Sequence, residues 1–168
     1  MAPFDKSMVL IVKVNQNTGF EGLIYNNLIK WDSVDDLDKG FELLKEAPLS
    51  LGGPLIKGGK PFVALTRRLI KDQYPEVASG IYFLDQKATL HEIEELKSGN
   101  QSIADYWFFF GYASWGWDQL YDEIAAGAWE LILMVKQPSI EVIEKRALFV
   151  KSLPVIEINT NFIKVLNF

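Results

Sequence analysis

Ser114 is the first residue whose type and setting could do chemistry. It lies in Ala113-Ser114-Trp115-Gly116, between an apolar run and a helix-like segment, the context of a hydrolase nucleophile elbow. The elbow pattern requires glycine two positions before the serine, and Tyr112 stands there. A serine nucleophile also needs a base, and His91 is the only histidine. His91 falls beside Glu92 at the start of an expected helix, on a polar face, so no catalytic residue is assigned. The loop Leu51-Gly52-Gly53-Pro54-Leu55-Ile56-Lys57-Gly58-Gly59-Lys60-Pro61 invites a phosphate-binding reading. Counting back from Gly59-Lys60, Pro54 occupies the place of the first P-loop glycine, and Pro61 that of the magnesium-binding hydroxyl. A structural turn is the favoured reading of this loop, and an anion or ligand loop is the rival. Asp118 and Asp122 share a helix face with Glu123 adjacent, which could serve acid–base work or hold a cation. Acidic residues near a helix N-terminus explain them equally well, as they do Asp35, Asp36 and Asp38.

The densest feature is Tyr106-Trp107-Phe108-Phe109-Phe110-Gly111-Tyr112-Ala113-Ser114-Trp115-Gly116-Trp117, in which eight of twelve residues are aromatic. Rings of this kind can line a ligand pocket, but a core strand is the commoner use. The ligand reading selects Gly52, Gly53, Pro54, Gly111, Tyr112, Ser114, Trp115, Gly116 and Gln119 as binding residues. The structural reading instead makes Trp115 an anchor of the fold.

Composition narrows the field. The chain has 168 residues, enough for one domain burying roughly 70% of its unfolded surface. Apolar residues make up 49% and charged residues 23%, which excludes a disordered chain. With 17 Lys+Arg against 22 Asp+Glu the net charge is −5, and no basic run offers a nucleic-acid footprint. Cysteine is absent, so disulfides, thiolate catalysis and Cys-based metal sites are excluded; the single His removes multi-His sites. No metal and no cofactor are expected. No signal peptide is visible, and the longest uncharged apolar stretch, Tyr106 to Trp117, falls short of the roughly 20 residues a membrane span needs. Asn100-Gln101-Ser102 is a glycosylation sequon that matters only in a secreted setting.

The elements that must position these residues alternate irregularly. Met8 to Val14 reads as a buried strand, residues 15–19 as a turn, and Phe20 to Asn26 as the returning strand. Ser33 opens a helix carrying Leu37, Phe41 and Leu44, which Pro48 ends. Short strands are expected at Leu49 to Leu51, Phe62 to Leu65 and Gly80 to Leu84. Thr89 and Glu92 have capping-box spacing for a helix that Gly99 stops. Asp105 to Tyr112 is a central strand, Trp117 to Ala126 a helix, and Trp129 to Val135 a strand. Pro138-Ser139 caps a helix with Ile140, Ile143 and Ala147, and Val155 to Leu166 forms one or two last strands. The absence of a regular βαβ beat argues for an α+β single domain over residues 1–168.

Several segments match a known pattern in order and spacing. They are Phe4-Asp5-Lys6-Ser7-Met8-Val9-Leu10-Ile11, Gly22-Leu23-Ile24-Tyr25-Asn26, Leu51-Gly52-Gly53-Pro54, Phe62-Val63-Ala64-Leu65, Phe110-Gly111-Tyr112-Ala113-Ser114-Trp115-Gly116-Trp117-Asp118-Gln119-Leu120, and Trp129. Over residues 4–135 the chain resembles the YqgE/AlgH family of bacterial proteins with plant relatives; residues 136–168 diverge. The resemblance implies a compact α+β fold with a curved, partly barrelled mixed sheet and flanking helices. It implies no established enzyme activity, and a proposed regulatory role in alginate production without a DNA-binding motif. The inserts and tail look plant-like, resembling domains attached to thioredoxin-like or protein-disulfide-isomerase-like modules. That makes the implied location cytoplasmic for a bacterial relative and organellar or endomembrane for a plant one. Three positions depart from the family: Asn26-Asn27-Leu28 replaces Asn-Arg-Pro, Ser114 replaces a glycine, and Trp117 replaces a Pro-like position. The family also has a strand before the motif that begins here at Phe4. Val155 to Leu166 is therefore expected to pair into the sheet and cover that edge, unless a second copy fills it as a homodimer or strand-swapped dimer. The leading functional expectation is a non-enzymatic interaction or regulatory domain with a protein partner. The rival is a small-molecule-binding or hydrolytic domain using the Gly52 to Gly59 loop and the aromatic block.

Overall fold

An unbroken apolar strand has to be covered on both faces. Met8 to Val12 is such a run, and all five residues are buried in the computed structural model, which describes residues 7–34, 39–55, 62–68, 73–78, 80–134 and 155–159. They belong to β1 (Met8–Asn15). The Asn15 side chain accepts from the backbone N–H groups of Asn17 and Thr18, and the chain turns back into β2 (Gly19–Ile24). Gly19 is needed at this turn, since its φ is +94° and a methyl group would run into the Trp115 carbonyl oxygen.

The remaining strands are β3 (Leu49–Leu51), β4 (Phe62–Thr66), β5 (Glu76–Ala78), β6 (Ile81–Leu84), β7 (Tyr106–Phe110), β8 (Ala113–Trp115), β9 (Glu130–Met134) and β10 (Val155–Asn159). They form two five-stranded mixed sheets, ordered β8-β2-β1-β10-β9 and β3-β7-β4-β6-β5. In the first, β10 is parallel to both β1 and β9, while β2 is antiparallel to β1 and β8. In the second, β3 is parallel to β7 and the other pairs are antiparallel. Beyond β2 the chain runs on alongside β3, with Leu51 N donating to Asn27 O at 2.8 Å and Ile29 N to Leu49 O at 2.9 Å. This segment ties one sheet to the other and gives a partly closed, barrel-like arrangement.

The alternation of side chains sorts the core into three layers. Between the sheets, Met8, Leu10, Val12, Leu23 and Tyr25 meet Val63, Leu65, Phe83, Trp107 and Phe109. On the outer face of the first sheet, Val9, Ile11, Phe20 and Trp115 pack with Leu120 of α2 (Trp117–Ala125). On the outer face of the second, Ala64, Leu84, Tyr106 and Phe108 pack with Ile93 and Leu96 of α1 (Gln86–Lys97) and with Leu44 of a 3₁₀ segment. The Tyr106-to-Phe110 run is thus apolar throughout because both of its faces are covered. The architecture is α+β.

Four local readings are corrected. Ser33 ends a 3₁₀ turn (Trp31–Ser33), where its Oγ donates to Lys30 O, and does not cap an α-helix; the described part of the following helix is a 3₁₀ segment (Lys39–Glu46). Asp85, not Thr89, caps α1: its carboxylate accepts from Ala88 N at 2.8 Å, while Thr89 is buried and donates to Leu84 O. Two three-residue strands, β5 and β8, were not expected. The Pro138–Ala147 helix, residues 160–166 and the Gly58-Gly59 half of the loop lie outside the described residues. Val155–Asn159 does pair with β1, as expected of the last segment, and sits inside the sheet between β1 and β9. Among the described residues no helix is long and apolar enough to cross a membrane.

Candidate functional site

Three of the four glycines singled out in the sequence, Gly52, Gly53 and Gly111, lie against backbone at one crossing. Gly52 N donates to Phe110 O at 2.8 Å, and Leu55 and Tyr112 exchange backbone hydrogen bonds of 3.0 Å in both directions. At this crossing a methyl group on Gly52 would strike the Gly111 carbonyl oxygen, one on Gly53 the Tyr112 carbonyl, and one on Gly111 the Gly53 carbonyl oxygen. Gly111 also holds φ +76°, a left-handed conformation that side chains resist. Pro54 is exposed beside the crossing, and so are Leu28 (57% exposed), Leu51 (36%) and Leu55 (41%). Leu28 bridges Ser50, and Leu55 bridges Tyr112.

The Trp115-Gly116-Trp117-Asp118-Gln119-Leu120 block builds a second knot. Trp115 is 2% exposed and meets Trp129 edge-to-face, with ring centroids 5.7 Å apart. Gly116 N donates to Gln119 Oε1 at 3.1 Å, closing the first turn of α2. The Gln119 amide donates in turn to Glu123, which accepts from Trp129 Nε1 at 2.8 Å. Ser114 lies between Ala113 and Trp115 on the edge strand β8 and is exposed, as are Gly116, Asp118, Gln119 and Asp122. Of the nine residues selected from sequence, Gly52, Gly53, Gly111 and Tyr112 therefore share the crossing, while Trp115, Gly116 and Gln119 share the knot beside α2.

A buried polar cluster escaped the sequence reading. Glu92 is 2% exposed, and its Oε1 accepts from Arg68 Nη1 at 2.7 Å and from the Tyr106 hydroxyl at 2.9 Å. Burial, then the adjacent Glu92 carboxylate, push the Tyr106 phenol well above its ordinary range. The cluster ties α1 to β7 and to the end of β4, where Thr66 and Arg67 also bond to Asp105. The signal was present in sequence: Glu92 stands on the same helix face as Thr89, Ile93 and Leu96, where a carboxylate needs partners.

A wider opening lies elsewhere. A cleft of about 620 Å³ runs between Val12, Lys13 and Val14 of β1 and the start of α1, with Tyr74, Pro75 and Phe83 as further walls and Asp85, Lys87 and His91 among its polar groups. A smaller recess of about 200 Å³ shares Val12, Lys13, Phe83 and Asp85 with it and adds Glu21, Gln86 and Tyr112. His91 is exposed on α1, and the cleft it lines does not include Ser114. Among the described residues no three His, Asp or Glu side chains are grouped to hold a metal ion.

Comparison with known proteins gives the family. A family model described as AlgH-like matches residues 2–151. The UPF0301 protein of Chlorobaculum parvum is 31% identical over 124 residues, covering 74% of this chain and 64% of that protein. The UPF0301 protein of Bacteroides thetaiotaomicron is 30% identical over 129 residues, covering 76% and 62%. The chain thus spans less than two thirds of the length of these relatives. The family match extends from before β1 past β9, through both the glycine crossing and the Trp115 knot, and the chain belongs to the AlgH-like family.

Proposed function

We propose that this protein is a non-catalytic recognition domain, with residues 1–168 acting as one unit that presents a rigid apolar face to a protein partner. The observation that carries the reading is the run of exposed apolar residues Leu51, Pro54 and Leu55 beside a crossing where backbone packs on backbone. Exposed apolar side chains grouped on a rigid frame are the usual material of a protein interface. Within this reading Gly52, Gly53 and Gly111 set the backbone, and Pro54 contributes directly to the face. Regulation of a partner by contact follows naturally from a domain of this kind.

Capture from a lysate of the source organism tests the proposal when wild-type protein is compared with a Leu51→Asp, Leu55→Asp variant. Specific capture by the wild type, lost in a variant with an unchanged circular dichroism spectrum, is the expected result. Turnover of ester or phosphoester substrates that vanishes in both Ser114→Ala and His91→Ala overturns it in favour of hydrolysis.

A further inference from the structure

The cleft between β1 and α1 has the size and lining of a small-molecule site. At about 620 Å³ it falls within the range of ligand pockets. Its walls are largely apolar: Val12, Val14, Pro75, Phe83, Ala88 and the ring of Tyr74. A phenol is uncharged at neutral pH, and burial raises that of Tyr74 further above its ordinary value.

The polar groups are unevenly committed. Asp85, the carboxylate of the main cleft, already accepts a hydrogen bond from Ala88 N as the cap of α1. Lys13 and Lys87 stand on opposite walls, one from the β1 side and one from α1, and neither meets a carboxylate among the described residues. Elsewhere Lys45 pairs with Asp32 and Glu42, Arg67 with Asp105, Arg68 with Glu92, and Lys97 with Glu94. His91 adds a third nitrogen donor to the Lys87 side. Glu21 faces Lys13 across the β1–β2 pair and lines the inner recess, while the lining of the outer cleft itself carries two lysines and His91 against Asp85.

We propose that this cleft binds a small amphipathic anion: a flat apolar body against Phe83, Tyr74 and Val14, with one carboxylate or sulfonate between Lys13 and Lys87. The site is independent of the leucine face, and either can fail without the other.

The probes are 2-naphthoate and its neutral amide, 2-naphthamide, titrated into the isotopically labelled protein and followed by amide chemical shifts. Naphthoate should shift Val12, Val14, Phe83, Ala88 and His91 saturably at submillimolar concentration. A Lys13→Glu, Lys87→Glu variant, altered only at exposed side chains, should bind it about fivefold or more weakly, and the wild-type protein should bind the amide about fivefold or more weakly than the acid. The proposal is overturned by the absence of saturable shifts at several millimolar, by shifts confined to the Trp115–Gln119 knot, or by equal affinity for acid and amide.

Discussion

At the Gly52–Gly111 crossing the backbone fills all the space, whereas at the cleft between β1 and α1 it leaves a gap of about 620 Å³. The crossing is rich in the residues that mark ligand loops in sequence, namely glycines beside a proline and an aromatic run. The cleft is made of ordinary residues drawn from β1, residues 73–75, β6 and α1. Glycine allows a ligand to approach the backbone closely, but it allows a second stretch of backbone to do so as well. Here the second stretch is present, and the opening forms where elements from the two sheets part.

The contrast can be broken by substitution. Trp115→Ala should lower the unfolding free energy by about 3–5 kcal/mol, because it empties a buried site shared with Trp129. A denaturant midpoint close to that of the wild type would remove the Trp115 knot from the structural side of the comparison. Gly111→Ala should cost about 2–3 kcal/mol, through both its left-handed φ and the contact with Gly53. Gly127→Ala is the matched control, since its φ is +77° in open space, and should cost about 1 kcal/mol. Equal losses at the two positions would mean that the crossing adds nothing beyond the dihedral.

Tyr106→Phe sharpens the comparison by probing a buried polar group outside both regions. Removing its bond to Glu92 should cost about 1–2 kcal/mol at neutral pH. It should also change the alkaline limb. The folded state holds the Tyr106 proton more tightly than the unfolded chain, so its contribution is complete below the ordinary value of 10.0 and is lost as pH rises beyond it. The variant's stability should therefore fall less steeply above pH 10, with Tyr74, Tyr82 and Tyr121, also raised mainly by burial, retaining part of the slope. Thermal melts from pH 8 to 11 measure this. The smallest effect is expected at the cleft: His91→Ala, at an exposed helix position, should stay within about 0.5 kcal/mol of wild type. A larger loss would show that the cleft wall is structural.

Local signals in the sequence read well where one element decides the outcome. The continuous apolar runs of β1 and β7 identified strands buried on both faces. Gly99 and Gly127 mark the ends of α1 and α2 with positive φ. The Trp117–Ala125 helix follows from its own spacing. Thr89 misled because Asp85, four residues earlier, offered the better cap, and capping depends on where the chain enters the helix. The β8 strand was missed because it pairs with β2, about ninety residues away, and β5 because Glu76-Val77-Ala78 carries no alternation to mark it beside the adjacent β6.

By itself, the sequence determined the α+β class, the family, the both-sides burial of Met8 to Val12 and Tyr106 to Phe109, and the role of Trp115 as a buried residue. These depend on side-chain polarity and local backbone preference, which each segment carries with it. Only the tertiary structure decided that Gly52, Gly53 and Gly111 serve one another, that Glu92 is held by Arg68 and Tyr106, and that Lys13 and Lys87 border one cleft. Those outcomes depend on which segments meet. Residues 14 to 74 positions apart are brought together by sheet order and register, which no single segment encodes.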